Sequence, residues 1–190
     1  MQRTSRKPPL AAAASLVLLL LGVMWLQEIL DTLLGGRLDE FGIIPRSEVG
    51  LRGLLFAPFL HVGFAHLLSN TVPYAVLGFL IAARSVLRFI GVTVTVMLLG
   101  GLGVWLFASP DSVHLGASLL VFGYLGYLLT LGATERSLAS LAVAAGVLLM
   151  YGATLWGVLP VAPGVSWQSH LFGFMAGGFV AFRHGRRAPR

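Results

Sequence analysis

Apolar residues run in blocks long enough to cross a lipid bilayer, and the charges are confined to the short intervals between them. A span needs about 20 consecutive apolar residues, because the hydrocarbon core is about 30 Å thick and a helix rises about 1.5 Å per residue. Such blocks lie at Leu10–Leu34, Phe64–Ala83, Phe89–Phe107, Ser137–Leu159 and Gln168–Phe182. A sixth, Ser118–Leu131, has 14 residues and reaches only roughly 21 Å as a helix, so it starts inside the bilayer or is not a span. Charged residues make up 11% of the chain. A soluble domain carries about 25%, so this composition excludes an ordinary water-soluble fold, and its hydrophobicity excludes disorder. The predicted fold class is all-α: a polytopic membrane bundle of six transmembrane helices with a short fourth helix and a long first loop, Gly35 to Gly63.

The net charge of +6 does not signal nucleic acid. The basic residues stand in clusters between apolar blocks, where they set membrane orientation. Ten of them fall on one side: Arg3, Arg6 and Lys7, then Arg84 and Arg88, then Arg136, then Arg183, Arg186, Arg187 and Arg190. Three, Arg37, Arg46 and Arg52, fall on the other. The excess predicts a multi-pass protein of the cell membrane with both termini cytoplasmic. It also divides the chain into a basic tail at 1–9, a membrane domain at 10–182 and a second basic tail at 183–190. The first apolar block follows a basic tail as a signal peptide would, but no A-x-A-like cleavage site follows it, so it reads as a retained helix. The chain has no cysteine, which removes disulfides, a thiol nucleophile and cysteine-ligated metals.

Strongly hydrogen-bonding side chains inside a span are expensive and are usually turned inward. His66 and Asn70 lie four residues apart and so share a helix face. His61 stands just before that helix, Ser118 opens the short fourth block, and His170 lies near the outer end of the sixth. Each has a structural explanation. A membrane serine commonly bonds the preceding turn of its own helix, His61 and His114 suit an interface, and His184 belongs with a solvated basic tail. His66 and Asn70 suit interhelical glue. Gly123, Gly126, Gly173, Gly177 and Gly178 suit close helix packing. Together they say more. In the predicted orientation Ser118, His170, His66 and Asn70 all lie in the outer half of the membrane. A hydroxyl and an imidazole at one depth suit nucleophilic catalysis, and the other two side chains could donate to an oxyanion.

The chain resembles the rhomboid family of intramembrane serine proteases. His61-Val-Gly-Phe-Ala-His66-Leu-Leu-Ser-Asn70 matches the family's H-x4-H-x3-N block. Gly116-Ala117-Ser118 matches the start of G-x-S-G, and His170-Leu-Phe-Gly173-Phe-Met-Ala-Gly177 matches H-x2-G-x3-G. The resemblance spans roughly Leu10 to Phe182 and implies a Ser–His dyad. Ser118 would be the nucleophile, His170 the general base and then acid, and His66 and Asn70 the oxyanion donors, supported by His61, Gly116, Gly173 and Gly177. Phe122, one turn after the serine, matches the aromatic residue that packs on the base. Arg52 matches a structural arginine of the first loop.

The implied activity is serine-type endopeptidase, hydrolysing peptide bonds in or near transmembrane helices of membrane-protein substrates. Substrates with Gly, Pro or small residues near the outer interface would unwind most easily. The implied partners are such substrates and the lipid bilayer, with no nucleic acid. The compact form looks prokaryotic, and the segment Val161 to Trp167 is a candidate cap over the site. No cofactor is implied. A zinc site from His61, His66 and His170 lacks both an acidic ligand and an H-E-x-x-H motif. One departure stands out: Leu119 occupies the place of the family's usual Gly after the nucleophile. A side chain there either reshapes substrate choice or impairs catalysis, leaving a rhomboid-like protein that binds membrane helices. A transporter with His66, Asn70 and His170 along an ion path is the remaining alternative.

Overall fold

Helix forms wherever the sequence offers a long apolar run, and among the described residues the protein is all-helical apart from its loops. The computed structural model describes residues 9–160 and 164–185. The long helices are α1 (Leu10–Leu34), α2 (Phe64–Ala82), α3 (Val86–Phe107), α4 (Ser118–Thr134), α5 (Leu138–Val158) and α6 (Trp167–Gly185). Their starts follow local chemistry. Ser85 caps α3 by accepting the Arg88 N–H at 3.3 Å, and Ser137 caps α5 by accepting the Ser140 N–H at 3.1 Å. Gly35 ends α1 in the left-handed conformation that glycine adopts without a Cβ penalty.

Four of these helices, α1, α2, α3 and α5, are long and apolar enough to cross a membrane. α4 is apolar but has 17 residues, three more than its sequence pattern suggested. α6 carries Gln168, Ser169, His170, Arg183 and His184 and is less apolar than the four. Between α1 and α2 the chain makes short helical turns, including the loop helix Val49–Phe59. Residues 1–8 and 186–190 of the predicted tails lie outside the described residues, as do residues 161–163 of the candidate cap, whereas 183–185 continue α6.

α4 lies at the centre. Twelve of its 17 residues are buried, among them Leu120, Tyr124 and Leu125, so protein rather than lipid surrounds it. A helix so enclosed does not need the length of a lipid-facing span. Its closest partner is α6, where glycines let the two backbones touch. A Cβ on Gly173 would run into the Leu119 carbonyl, and one on Gly177 into the Gly123 carbonyl. The Tyr124 hydroxyl is buried against Thr93 of α3 at 2.8 Å. α1 and α5 are peripheral, and the faces they leave uncovered are apolar, with Leu18, Leu19, Leu148, Leu149 and Met150 exposed. Lipid-facing surfaces have this character.

Candidate active site

α2, α4 and α6 run in the same direction, so their N-terminal ends converge, and Ser118, His66, Asn70 and His170 all lie within two turns of those ends. The four side chains line one cavity of about 500 Å³, together with Phe122 and His114. Ser118 and His66 are half-buried, whereas Asn70 and His170 are buried. Solvent therefore reaches the hydroxyl while the imidazole is held by protein.

His170 is fixed on two sides. Its Nδ1 lies 2.8 Å from the Gly157 carbonyl oxygen, so Nδ1–H donates and Nε2 is left with its lone pair. Its ring stacks on Phe122 with centroids 4.0 Å apart and planes within 5°. Gly157 has to be small: a Cβ there would lie 3.0 Å from both His170 Nδ1 and Phe122 Cζ. Neither α4 nor α6 carries an acid that could orient this histidine. The orienting group is a main-chain carbonyl, which leaves no side-chain signature beyond a glycine near the end of α5.

Ser118 is the first residue of α4, and its hydroxyl has no hydrogen-bond partner among the described residues. Other hydroxyls on these helices behave differently. Ser69, Thr71, Thr93, Thr95 and Thr134 each donate to a carbonyl of the preceding turn. The structural explanation for a membrane serine thus fits those five and not Ser118. No hydrogen bond joins Ser118 to His170, whose Nδ1 is taken by the Gly157 carbonyl.

The approach to Ser118 is built by the supporting residues. Gly116 has φ +118°, where a side chain would be strained, and a Cβ there would lie 2.6 Å from His66 Cε1. The Gly116 N–H donates to the Ala57 carbonyl at 2.9 Å. The next N–H, that of Ala117, donates to His61 Nε2 at 3.1 Å. His61 is fully buried, and burial together with the neighbouring His66 pushes its pKa down to about 4. It therefore stays neutral and keeps the lone pair that Ala117 needs. The His61 and His66 rings meet edge to face at 5.2 Å.

Asn70 is not interhelical glue. Its Nδ2 donates to the His66 carbonyl one turn back at 3.0 Å, leaving its second N–H uncommitted by any bond among the described residues. His184, expected to be solvated, is half-buried beside Tyr127, whose hydroxyl lies 3.2 Å from Nδ1.

Residues 49–187 match the Rhomboid domain. The chain belongs to the rhomboid family. It is 39% identical over 188 residues to uncharacterized proteins of Mycobacterium bovis and Mycobacterium tuberculosis, an alignment covering 95% of this chain and 78% of each relative. An uncharacterized protein of Mycobacterium leprae is 40% identical over 174 residues, covering 87% and 69% of the two chains. Within this rhomboid fold the departure from the family motif has a definite place. Leu119 is 3% exposed and does not line the cavity. Its Cδ1 points to α3, 3.1 Å from where a Cβ on Gly100 would lie, and Gly100 closes the π-helical turn Val96–Gly100. The leucine is thus housed by a glycine across the helix seam rather than in the site.

Proposed function

We propose that this rhomboid protein is an intramembrane serine endopeptidase with Ser118 as nucleophile and His170 as general base. The observation that carries the reading is the His170 Nδ1 bond to Gly157, which leaves Nε2 as the base on the wall of the cavity that Ser118 also lines. Nε2 takes the Ser118 proton as Oγ attacks the scissile carbonyl, then returns it to the leaving amine. Water entering the cavity hydrolyses the acyl-enzyme by the same steps. His66 and the free Asn70 N–H donate to the oxyanion, and the Ser118 N–H at the start of α4 adds a donor aligned with the helix dipole.

The substrates are membrane proteins whose helices unwind near the outer interface. In this reading all six helices belong to the membrane domain 10–182. Both basic tails are cytoplasmic, as the ten-to-three distribution of Lys and Arg favours, and the membrane is a prokaryotic cell membrane. α4 is sheltered by the helices around it, whereas α6 packs one face on α4 and leaves Met175 and Phe179 exposed.

A fluorophosphonate probe tests the chemistry. Labelling of the purified chain is expected, and it should vanish in Ser118→Ala and in His170→Ala. Absence of labelling in the intact chain would favour the helix-binding alternative. That alternative has lost its main steric support, since Leu119 packs away from the cavity. Ion flux in liposomes that survives Ser118→Ala, without labelling, would favour a transporter instead.

A further inference from the structure

We propose that His114 is a positioning residue that clamps the Ser118 end of α4 to the His170 end of α6 through Ser166. The inference rests on the dyad reading above and adds a part to it. His114 stands four residues before Ser118, and Ser166 stands four residues before His170. The His114 Nδ1 lies 2.6 Å from Ser166 Oγ, joining positions 52 apart in the chain.

Neither residue is a loose surface group. His114 is 7% exposed, and its main chain pairs in both directions with Ile43, at 2.8 and 2.9 Å. Ser166 occupies the N-cap position of α6, its Oγ accepting the Ser169 N–H at 3.2 Å. The clamp therefore links a segment anchored to the first loop with the cap of the helix that carries the base.

The hydrogens along this chain of groups have one consistent direction. Ser112 donates its hydroxyl proton to the Ser109 carbonyl at 2.5 Å, so its oxygen must accept from His114 Nε2–H at 2.7 Å. Nδ1 of the neutral ring is then an acceptor, and the Ser166 hydroxyl donates to it. Ser166 Oγ in turn accepts from the Ser169 hydroxyl at 2.7 Å. Burial pushes the His114 pKa down, which favours this neutral form. His114 and Ser166 also line the cavity, so the clamp closes one wall of the site rather than a remote corner.

The dyad partners come from different helices and share no hydrogen bond of their own at rest. Their separation is set by whatever ties the two helix starts together, and a misplacement of about 1 Å can cost on the order of a hundredfold in rate. The glycine seam fixes how closely α4 and α6 approach, and the clamp fixes their register at the cavity end.

The experiment measures fluorophosphonate labelling of the full chain in detergent micelles against probe concentration, alongside thermal unfolding. Ser166→Ala should lower the limiting labelling rate about tenfold and leave the half-saturating probe concentration within about twofold, because the cavity persists while its two reacting groups drift apart. Ser166→Thr, which keeps the hydroxyl, should recover most of the rate. His114→Asn, which keeps an acceptor near the Nδ1 position, should outperform His114→Phe. The double variant His114→Phe with Ser166→Ala should be no slower than His114→Phe alone, since both remove one interaction.

Wild-type labelling at Ser118 with an unchanged rate in Ser166→Ala, or fully additive losses in the double variant, overturns the clamp and leaves the protease reading standing. No labelling of the wild type overturns both.

Discussion

The two ends of the bundle are held together by different chemistry. At the cavity end the bonds are neutral: Ala117 to His61, Gly157 to His170, and the Ser112–His114–Ser166–Ser169 chain. At the opposite end they are ionic. Arg84 meets Glu135 at 2.8 Å and Ser140 at 2.7 Å, Ser140 also bonds Glu135, and Arg88 stands 3.9 Å from the same carboxylate. Against the burial that opposes it, the bonds from Ser140 and Arg84 hold Glu135 below the usual carboxylate range. An ion pair near the surface tolerates solvent and small shifts. In the proposed protease reading, an imidazole that has to accept a proton is better served by neutral partners, because a nearby fixed charge would bias that proton. The ionic end fastens the fold; in the proposed protease reading, the neutral end aligns Ser118 with His170.

The largest expected effect lies between the two ends, in the α4–α6 seam on which both depend. Gly177→Val drives a side chain into the Gly123 carbonyl, and a loss of more than about 4 kcal/mol is expected. Size-exclusion chromatography of the variant in detergent should show aggregate. A monodisperse, thermally stable Gly177→Val protein would mean that the seam is looser than its glycines indicate.

Acid comes next and should act on the cavity end. His61 titrates at about 4 when folded and at 6.5 by its ordinary value. The unfolded chain therefore binds a proton that the folded one refuses, and stability falls as pH drops from 6.5 to 4, by up to about 3 kcal/mol. His114 pulls the same way. Asp39 opposes them: burial, then the Asp31 and Glu28 carboxylates, raise its pKa to about 6, so the folded form gains a proton first and stability rises as pH falls through that value. Asp39→Asn removes the opposing slope. Its thermal midpoint should decline more steeply with acid than that of the wild type, and a flat profile from pH 6.5 to 4 would contradict the buried neutral His61.

Gly116→Ala separates function from folding. Its methyl group meets the His66 ring while the seam remains intact, so a loss of labelling of about a hundredfold is expected with a modest fall in thermal midpoint. Glu135→Gln is the mirror experiment at the ionic end. It should cost about 1 kcal/mol in unfolding and leave the labelling rate unchanged. A slower rate there would mean that the two ends are coupled.

Much of this was legible in the sequence because it depends on local periodicity. A long apolar run dictates a helix, and the predicted boundaries of α1 and the start of α4 coincide with the observed ones. The spacing of His66 and Asn70 fixes a shared face, as does that of Ser118 and Phe122. The small-residue pattern on α6 foretold its close approach to α4.

Other features belong to the tertiary structure, since they join segments distant in the chain through groups without a sequence signature. The partner of His170 is a carbonyl that any residue would possess, so only the path of α5 could bring Gly157 to it. The housing of Leu119 depends on Gly100, contributed by a different helix at a π-helical turn. His114 reads as an isolated interfacial histidine until the first loop and the start of α6 fold against it. Hydrophobic period and motif spacing are properties of one segment and survive in the bare sequence. The orientation of a ring or hydroxyl is set by what packs around it, and that is decided only when the helices meet.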